Sequence, residues 1–169
     1  MNALMTDIMS RPMPPGLFRK TLSSYVTGVA VVTTSTGSGP AGMTINSFAS
    51  VSLEPPLVLW SIRNSSALGP VFLRAERWGI NVLHAGQQAV ANRFCAQIDD
   101  RFEGMAWRSS AGRTPMIDGA VAYLECLTRQ VVSAGDHTIL IGEVQDLIHR
   151  GGSALAFFEG KYQEIEFRN

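Results

Sequence analysis

Two long runs of β-forming residues near the carboxyl-terminal end restrict the possible folds of this chain more than any other feature. They occupy residues 120–132 and 138–148, and a short segment containing Gly135 and Asp136 separates them. Branched and aromatic side chains favour strands, whereas glycine and aspartate favour turns. The spacing therefore predicts a long antiparallel β-hairpin.

The rest of the chain favours further antiparallel strands with a few short helices. Shorter β-like runs lie at residues 29–34, 57–62, 78–83 and 155–158, and short helices are predicted at 17–25, between 64 and 76, and at 86–95. Helices do not alternate with strands, which disfavours a parallel sheet. We predict a mainly β fold of six or seven strands, arranged as a closed or split antiparallel barrel.

A glycine pattern between two of these runs must be distinguished from a dinucleotide-binding loop. Gly37, Gly39 and Gly42 fit the spacing G-x-G-x-x-G after a strand. A dinucleotide-binding loop needs a helix immediately afterwards and an acidic residue ~20 positions later. The chain has neither, so these glycines predict a hairpin between two antiparallel strands.

Length and composition favour one domain that has no charged face for nucleic acid. The chain has 169 residues, of which 14 are Lys or Arg and 14 are Asp or Glu, so its formal net charge is zero. A nucleic-acid-binding face would need an excess of basic residues. We predict a flexible N-terminal arm at residues 1–15 and a single domain at 16–169. The high apolar content, 46%, is consistent with an additional buried surface in an oligomer.

The cysteines and the N-terminal segment predict a cytoplasmic protein. Cys95 and Cys126 form no C-x-x-C pair, and their apolar surroundings predict buried free thiols. Residues 1–15 lack the apolar core of a secretory signal, and no apolar run reaches the ~18 residues of a membrane span. The three histidines, His84, His137 and His149, lack the spacing of a metal site, so no metal is predicted.

A polar segment after the glycine loop is the first candidate for function. Thr44, Asn46 and Ser47 lie between two apolar runs, and in a strand Thr44 and Asn46 project from the same face. Hydroxyl and amide groups in such a place must meet water, each other or a ligand. The residues alone leave open a solvated, turn-rich edge and a ligand site.

Three motifs resemble the short-chain flavin reductases, the small components of two-component flavin monooxygenases. The first begins Gly-Met-Thr at residues 42–44 and continues to the proline pair at 55–56. The second is Gly-Asp-His at 135–137 followed by Ile-Gly-Glu-Val at 141–144. The third is Gly-Lys-Tyr at 160–162, which we predict to form a turn. Residues 100–104 also match this family, but we assign them no chemical role. The resemblance extends over roughly residues 17–165.

The resemblance implies a split barrel of the FMN-binding type and a specific reaction. The chain would be an NAD(P)H:flavin oxidoreductase, with FMN or FAD as the flavin and NADH or NADPH as the reductant. Hydride would pass from the nicotinamide to the flavin, and a partner monooxygenase would receive the diffusible reduced flavin. A homodimer is implied, in which each site is partly covered by the neighbouring subunit.

The same resemblance assigns candidate residues to the parts of a bound flavin. Thr44, Asn46 and Ser47 would donate to the edge of the ring, while His137 and Tyr162 would act on the nicotinamide side. The phosphate would bind at a helix start, where free N–H groups attract anions. The candidates for this phosphate site are Ser61, Asn64, Ser65, Ser66 and Arg93.

Three other functions remain open at this point. A pyridoxamine-phosphate oxidase-like enzyme would share the barrel but would need basic residues for two phosphates. A flavin- or haem-binding barrel could store or sense its ligand without turnover. A dimeric β-barrel interaction protein would bind no cofactor at all.

Overall fold

The computed structural model of the chain describes residues 13–164, which form a mainly β fold. The predicted N-terminal arm lies almost entirely outside the described residues. The strands in that range are Thr27–Gly28 (β1), Ala30–Thr36 (β2), Gly39–Ile45 (β3), Ala49–Leu53 (β4), Pro56–Arg63 (β5), Arg77–Val82 (β6), Trp107–Ser109 (β7), Pro115–Ile117 (β8), Ala122–Ala134 (β9), His137–His149 (β10), Leu155–Phe158 (β11) and Lys161–Glu164 (β12). The helices are Pro15–Ser23 (α1), Gly69–Arg74 (α2) and Gln88–Cys95 (α3), with a 3-10 turn at Ala85–Gln87.

Seven strands form the main sheet, in the order β3-β2-β6-β9-β10-β5-β4. Every neighbouring pair in it is antiparallel, which confirms the predicted sheet type and the two predicted hairpins. β1, β11 and β12 form a smaller sheet, and β7 pairs with β8. The strands number more than the six or seven predicted, because two- and three-residue strands such as β1, β7 and β8 carry too little pattern to be recognised.

The two edge strands of the main sheet, β3 and β4, are consecutive in the chain. Only residues 46–48, which we call the seam, separate them. Consecutive Cα atoms are 3.8 Å apart, so Ile45 and Ala49 lie within ~15 Å of each other. The sheet must therefore curl until its edges meet at the seam. No ladder joins β3 to β4, so the barrel is split there.

Large aromatic side chains fill the inside of the barrel. Trp60 lies edge-on to Phe72 at 5.1 Å and to Trp78 at 6.0 Å between ring centroids, and all three are fully buried. On β5 the buried residues alternate, so that Val58, Trp60 and Ile62 face the core. Ser61 and Arg63 consequently lie on the opposite face of that strand.

A second apolar cluster covers one outer face of the sheet. It joins Val31 of β2 to Phe94 of α3 and Leu155 of β11, among other residues. Phe94 also packs edge-on against Phe102 at 5.0 Å. This cluster fixes α3 beside the end of β3, where the polar segment begins.

A buried carboxylate anchors the loop between β7 and β8. Glu125 of β9 is 2% exposed, and its oxygens accept hydrogen bonds from the Ser110 hydroxyl at 2.9 Å, the Gly112 N–H at 3.1 Å and the Thr114 hydroxyl at 3.2 Å. A charge can be buried when hydrogen bonds replace its water. These bonds hold the loop that leads into β8 against the sheet.

Two local predictions were wrong. The helix after β5 begins at Gly69 rather than at residue 64, because Pro70 occupies the first turn, where proline is best tolerated, and no side chain caps the helix. Lys161 and Tyr162, predicted to form a turn, instead begin β12. The turn is only Glu159 and Gly160, whose positive φ angles suit a tight two-residue hairpin.

Candidate functional site

A cleft of about 240 Å³ lies at the seam of the barrel. The end of β3, the seam, the end of β5, the turn after β5 and the start of β10 all contribute to it. The residues that line it are Met43, Thr44, Ile45, Asn46, Ser47, Ser61, Ile62, Arg63, Ser66 and His137. Six predicted site residues from three separate parts of the chain therefore meet in one place: Thr44, Asn46, Ser47, Ser61, Ser66 and His137.

The register between β5 and β10 places the polar side chains of this cleft on one face. His137 pairs directly with Arg63, and Ile139 pairs with Ser61. Paired residues in antiparallel strands project to the same side, with Cβ atoms about 4.5–5.5 Å apart. The side chains of His137 and Arg63 therefore begin next to each other on the same face of the sheet.

A smaller, mainly apolar cleft of about 140 Å³ continues from the first one. The two share Thr44, Ile45 and Asn46, so they form one surface on both sides of the end of β3. The remaining lining residues are Val29, Cys95, Phe157 and Tyr162. Tyr162 thus lies beside the main cleft rather than in it.

The phenol of Tyr162 is kept neutral by its surroundings. Burial is the main cause that raises its pKa, and the neighbouring Cys95 adds to the effect, bringing the pKa to about 12. The Tyr162 hydroxyl is 3.9 Å from the sulfur of Cys95, and its ring lies edge-on to Phe157 at 5.4 Å. At neutral pH the side chain therefore presents an O–H group and not a phenolate.

Hydrogen bonds within the protein already use the hydroxyl protons of Thr44 and Ser47. The Thr44 hydroxyl donates to the carbonyl of Ala91 in α3 at 2.7 Å. The Ser47 hydroxyl donates to the Ser61 carbonyl and accepts from the Ser61 N–H, both at 3.1 Å. Contrary to the prediction of ring-edge donors, these hydroxyls support the walls of the cleft, and Ser47 extends the β4–β5 ladder by its side chain.

Free donors at the seam come from the backbone and from Asn46. Within residues 13–164, the N–H groups of Asn46, Ser47 and Phe48 have no hydrogen-bond acceptor, and the exposed Asn46 amide makes no side-chain hydrogen bond. Sequence reasoning missed the backbone groups, because their freedom follows from the bend between β3 and β4. They can donate to a ligand edge that lies along the seam.

Arg63 is the second contributor that sequence reasoning missed. Its guanidinium lines the cleft, and no carboxylate within the described part of the chain pairs with it. Ser66 is nearby in the lining, and its oxygen accepts from the Leu68 N–H at 3.3 Å, so its proton remains available to a ligand. The alternation along β5, which puts Ser61 and Arg63 on one face, was the sequence signal for Arg63.

The predicted phosphate site at a helix start is not present in the structure. No helix begins at Asn64 or Ser65, and Ser65 is exposed without lining either cleft. Arg93 also lines neither cleft. Its guanidinium donates instead to the carbonyls of Arg101 at 2.7 Å and of Glu103. Arg93 thus holds the family-matching segment at residues 100–104 in place.

The side chain of Asn64 binds the turn of the long hairpin rather than lining the cleft. Its amide N–H donates to the Gly135 carbonyl at 3.1 Å, and its oxygen accepts from the Thr138 hydroxyl at 2.8 Å. The backbone N–H of Asn64 also donates to the carbonyl of Asp136 at 2.9 Å. The end of β5 is therefore attached to the turn that carries His137.

The two cysteines differ in accessibility, which corrects the prediction that both are buried. Cys95 is exposed at the apolar cleft, whereas Cys126 is buried in the barrel. Burial raises the pKa of the Cys126 thiol to about 12, with the nearby Glu125 carboxylate adding to the effect. The thiolate is the reactive form, so only Cys95 is poised to react with a thiol reagent.

We expect a disulfide reagent to modify one thiol per native chain quickly. Denaturation should release the second thiol, and a Cys95→Ser variant should lose the fast phase while keeping the slow one. The measurement is the absorbance of the released reporter thiol over time. Equal reaction rates of both thiols in the native protein would contradict the burial of Cys126.

Residues 13–164 contain neither a membrane-spanning helix nor a cluster of metal ligands. No helix among them combines the length and the apolar character that a bilayer crossing requires. Residues 13–164 also contain no group of three or more His, Cys, Asp or Glu side chains placed to hold a metal ion.

Comparisons with known proteins point in one direction. Residues 22–166 match the family described as flavin reductase like domain. The chain is 45% identical over 145 residues to the FMN reductase (NADH) SmoA of Agrobacterium fabrum, covering 86% of this chain and 83% of that protein. It is equally identical to the reductase component of the flavin-dependent trigonelline monooxygenase of Acinetobacter baylyi, of which it spans only 47%.

A solved structure is similar over nearly the whole chain. It is that of the NADH:FAD oxidoreductase SgcE6 of Streptomyces globisporus, in complex with NAD and FAD fragments. The TM-score is 0.86 at 34% sequence identity, and the match covers 93% of this chain and 98% of that one.

Proposed function

The chain belongs to the flavin reductase like family, and on that premise we propose that it uses NAD(P)H to reduce a flavin for a partner monooxygenase. The observation that best supports this proposal is the main cleft at the seam, where residues from β3, β5 and β10 meet. The relatives reported above are reductases or oxidoreductases by name, which does not favour a storage or interaction protein.

The donor set at the seam fits a flavin. A flavin needs an apolar slot for its ring, hydrogen bonds to the polar ring edge and donors for its phosphate. Met43 in the main cleft and Val29 with Phe157 in the adjoining one contribute apolar surface. The free N–H groups of the seam and the Asn46 amide are donors for the ring edge, and Ser66 with Arg63 can bind the phosphate. When bound, the flavin supplies the hydride acceptor and the nicotinamide the donor.

We assign the remaining residues to the nicotinamide side. His137 is next to Arg63 in the cleft, and Tyr162 presents a neutral O–H in the adjoining apolar cleft. Both can hydrogen-bond to a nicotinamide nucleotide and orient it against the flavin, which lowers the entropic cost of the reaction. FMN and FAD both occur in the names of the relatives, so the choice between them is left to kinetics.

The test of this function is a coupled absorbance measurement under anaerobic conditions. Purified protein is mixed with NADH or NADPH and with FMN or FAD, and the nicotinamide and flavin bands are followed together. We expect one nicotinamide to be consumed for each flavin bleached. If flavin is retained tightly but no nicotinamide is consumed in any of the four pairings, the proposed function is wrong.

We also propose that the chain forms a homodimer that buries helix α1. None of the nine residues of α1 is buried in the isolated chain, and Leu17, Phe18 and Leu22 are 58%, 52% and 58% exposed. Helices shorter than about 12–15 residues are marginally stable in water unless an apolar face is covered. A second copy of the chain would cover this face.

The cytoplasmic location of the protein remains a prediction.

Two acidic substitutions in α1 should separate the subunits. We expect Leu17→Asp combined with Leu22→Asp to reduce the mass measured by light scattering from that of a dimer to that of a monomer. Lys20→Asp, which changes a charge on the same helix outside the stripe of Leu17, Phe18 and Leu22, should leave the dimer intact. A monomeric wild-type protein, or a double variant that remains dimeric, would rule out this interface.

A further inference from the structure

His137 is held from two sides by residues that do not themselves line the cleft. Its ring nitrogen Nδ1 is 2.8 Å from the carboxylate oxygen Oδ1 of Asp136. Asn64 binds the residues on both sides of this pair, Gly135 and Thr138. The two contacts act on different properties of His137, namely its protonation pattern and its position.

The contact with Asp136 determines which ring nitrogen of His137 carries the proton. A carboxylate only accepts hydrogen bonds, so Nδ1 must be the protonated nitrogen. In the neutral imidazole, Nε2 then has a free lone pair and is the nitrogen left for a ligand. The hydrogen bond from His137 is the main cause that lowers the pKa of Asp136, so this carboxylate is ionised at neutral pH.

The charged groups around His137 come from two elements. Asp136 precedes it in the hairpin, and Arg63 pairs with it from β5 and also lowers the pKa of Asp136. The β3 end and the seam line the cleft with Met43, Thr44, Ile45, Asn46 and Ser47, none of which titrates. Asp136 is therefore the acceptor that faces the ring, since Arg63 can only donate.

The contacts of Asn64 compensate for an otherwise exposed turn. Gly135 and Asp136 are exposed, and Gly135 has a φ of +61°, so little packing holds the turn in place. Asn64 provides three hydrogen bonds to it, two from its side chain and one from its backbone N–H. Because Thr138 is buried, its bond to Asn64 is shielded from competing water.

We propose that Asp136 and Asn64 are positioning residues for His137 in the reductase reaction. Asp136 selects the tautomer that has the proton on Nδ1, and Asn64 fixes the turn to the end of β5, so that Nε2 accepts a hydrogen bond from the nicotinamide nucleotide. The donors on such a nucleotide are its carboxamide N–H and its ribose O–H groups. The identity of the ligand in this inference rests on the proposed function, whereas the tautomer of His137 does not.

The tautomer can be measured by NMR without any flavin or nicotinamide. Long-range proton–nitrogen correlations distinguish the two neutral forms of each imidazole, and a His137→Gln variant assigns the signals. At a pH where the ring is neutral, we expect the Nδ1–H form in the wild type and a shift towards Nε2–H in Asp136→Ala. Asp99→Ala, an exposed control, should change nothing, and an unchanged tautomer in Asp136→Ala overturns the proposal.

Steady-state kinetics test the consequence for the nucleotide. Asp136→Ala and Asn64→Ala should each raise the KM for NADH roughly tenfold, as expected when a charged or buried hydrogen bond is lost. The KM for flavin should not change. Thr138→Val removes one of the two side-chain hydrogen bonds of Asn64 with little change of shape, and it should reproduce part of the Asn64 effect even if Asn64→Ala folds poorly. Asn92→Ala, on the exposed face of α3, is the control.

The possible results separate the two proposals. A wild-type protein that oxidises no NADH contradicts the proposed function, while the NMR result still decides the tautomer. A second result would overturn the positioning roles alone. In it, the wild type turns over normally, and the variants either leave the KM values for NADH and flavin unchanged or change both equally.

Discussion

Replacing Gly142 by alanine should destabilise the barrel by about 3 kcal/mol or more, at the upper end of the effects seen for overpacked cores. A Cβ at this position of β10 would lie 2.3 Å from the ring carbon Cζ2 of Trp78 and 2.9 Å from the Cβ of Cys126. Trp78 and Cys126 are both fully buried, so neither can move aside into solvent. Urea unfolding followed by tryptophan fluorescence measures the decrease in the free energy of unfolding.

A matched glycine and a second substitution make this prediction specific. Gly28 also lies in a strand, but an alanine Cβ there would have no atom within 4 Å beyond its own chain neighbours, so Gly28→Ala should change stability by less than ~0.5 kcal/mol. Trp78→Leu by itself should lower the free energy of unfolding. In the Trp78→Leu background, Gly142→Ala should be less destabilising than in the wild type, and a double-mutant cycle measures this difference. Equal stability of the two alanine variants would contradict the packing described for the barrel.

Arg63→Ala should weaken flavin binding more than any other single change in the cleft. Arg63 lines the cleft together with Ser66, and it forms no salt bridge with a carboxylate among residues 13–164. A hydrogen bond to a charged group contributes about 1.5–3 kcal/mol, which corresponds to a roughly 10- to 150-fold rise in the KM for FMN or FAD. The measurement is the initial rate of NADH loss against flavin concentration.

Riboflavin provides the decisive control, because it has the ring but no phosphate. If Arg63 binds the phosphate, wild type and Arg63→Ala should use riboflavin equally well, and Arg63→Lys should retain part of the affinity for FMN. Arg74→Ala, at the exposed end of α2, should behave as wild type. An equal loss for riboflavin and FMN would mean that Arg63 acts on the ring or on the fold.

The main hairpins and the family could both be predicted from local patterns. The β9–β10 hairpin is recognisable because two branched, apolar runs flank Gly135 and Asp136, and strand formation depends on such short-range properties. The two wrong local predictions, the start of α2 and the turn at Lys161 and Tyr162, also have a local cause. The start of α2 and the hairpin at Glu159 and Gly160 depend on local backbone geometry and not on an apolar pattern, and Glu159 adopts a positive φ angle that is uncommon for residues other than glycine.

The roles of individual polar groups depended instead on contacts between distant parts of the chain. On sequence grounds Arg93 and not Arg63 was the candidate for the phosphate, yet carbonyls of a later loop hold Arg93, while Arg63 lines the cleft. Ser47 looks like a donor for a ligand until β5 brings Ser61 against it.

Residue types and their spacing were sufficient to predict an antiparallel β protein, and the resemblance of three motifs to the flavin reductases implied the family and most of the residues around the cleft. Tertiary structure alone determined which of those side chains can still donate, and that backbone N–H groups at the seam join them. The reason is physical: each polar group satisfies its hydrogen bonds with whatever the fold brings near, and only the groups left over can bind a ligand.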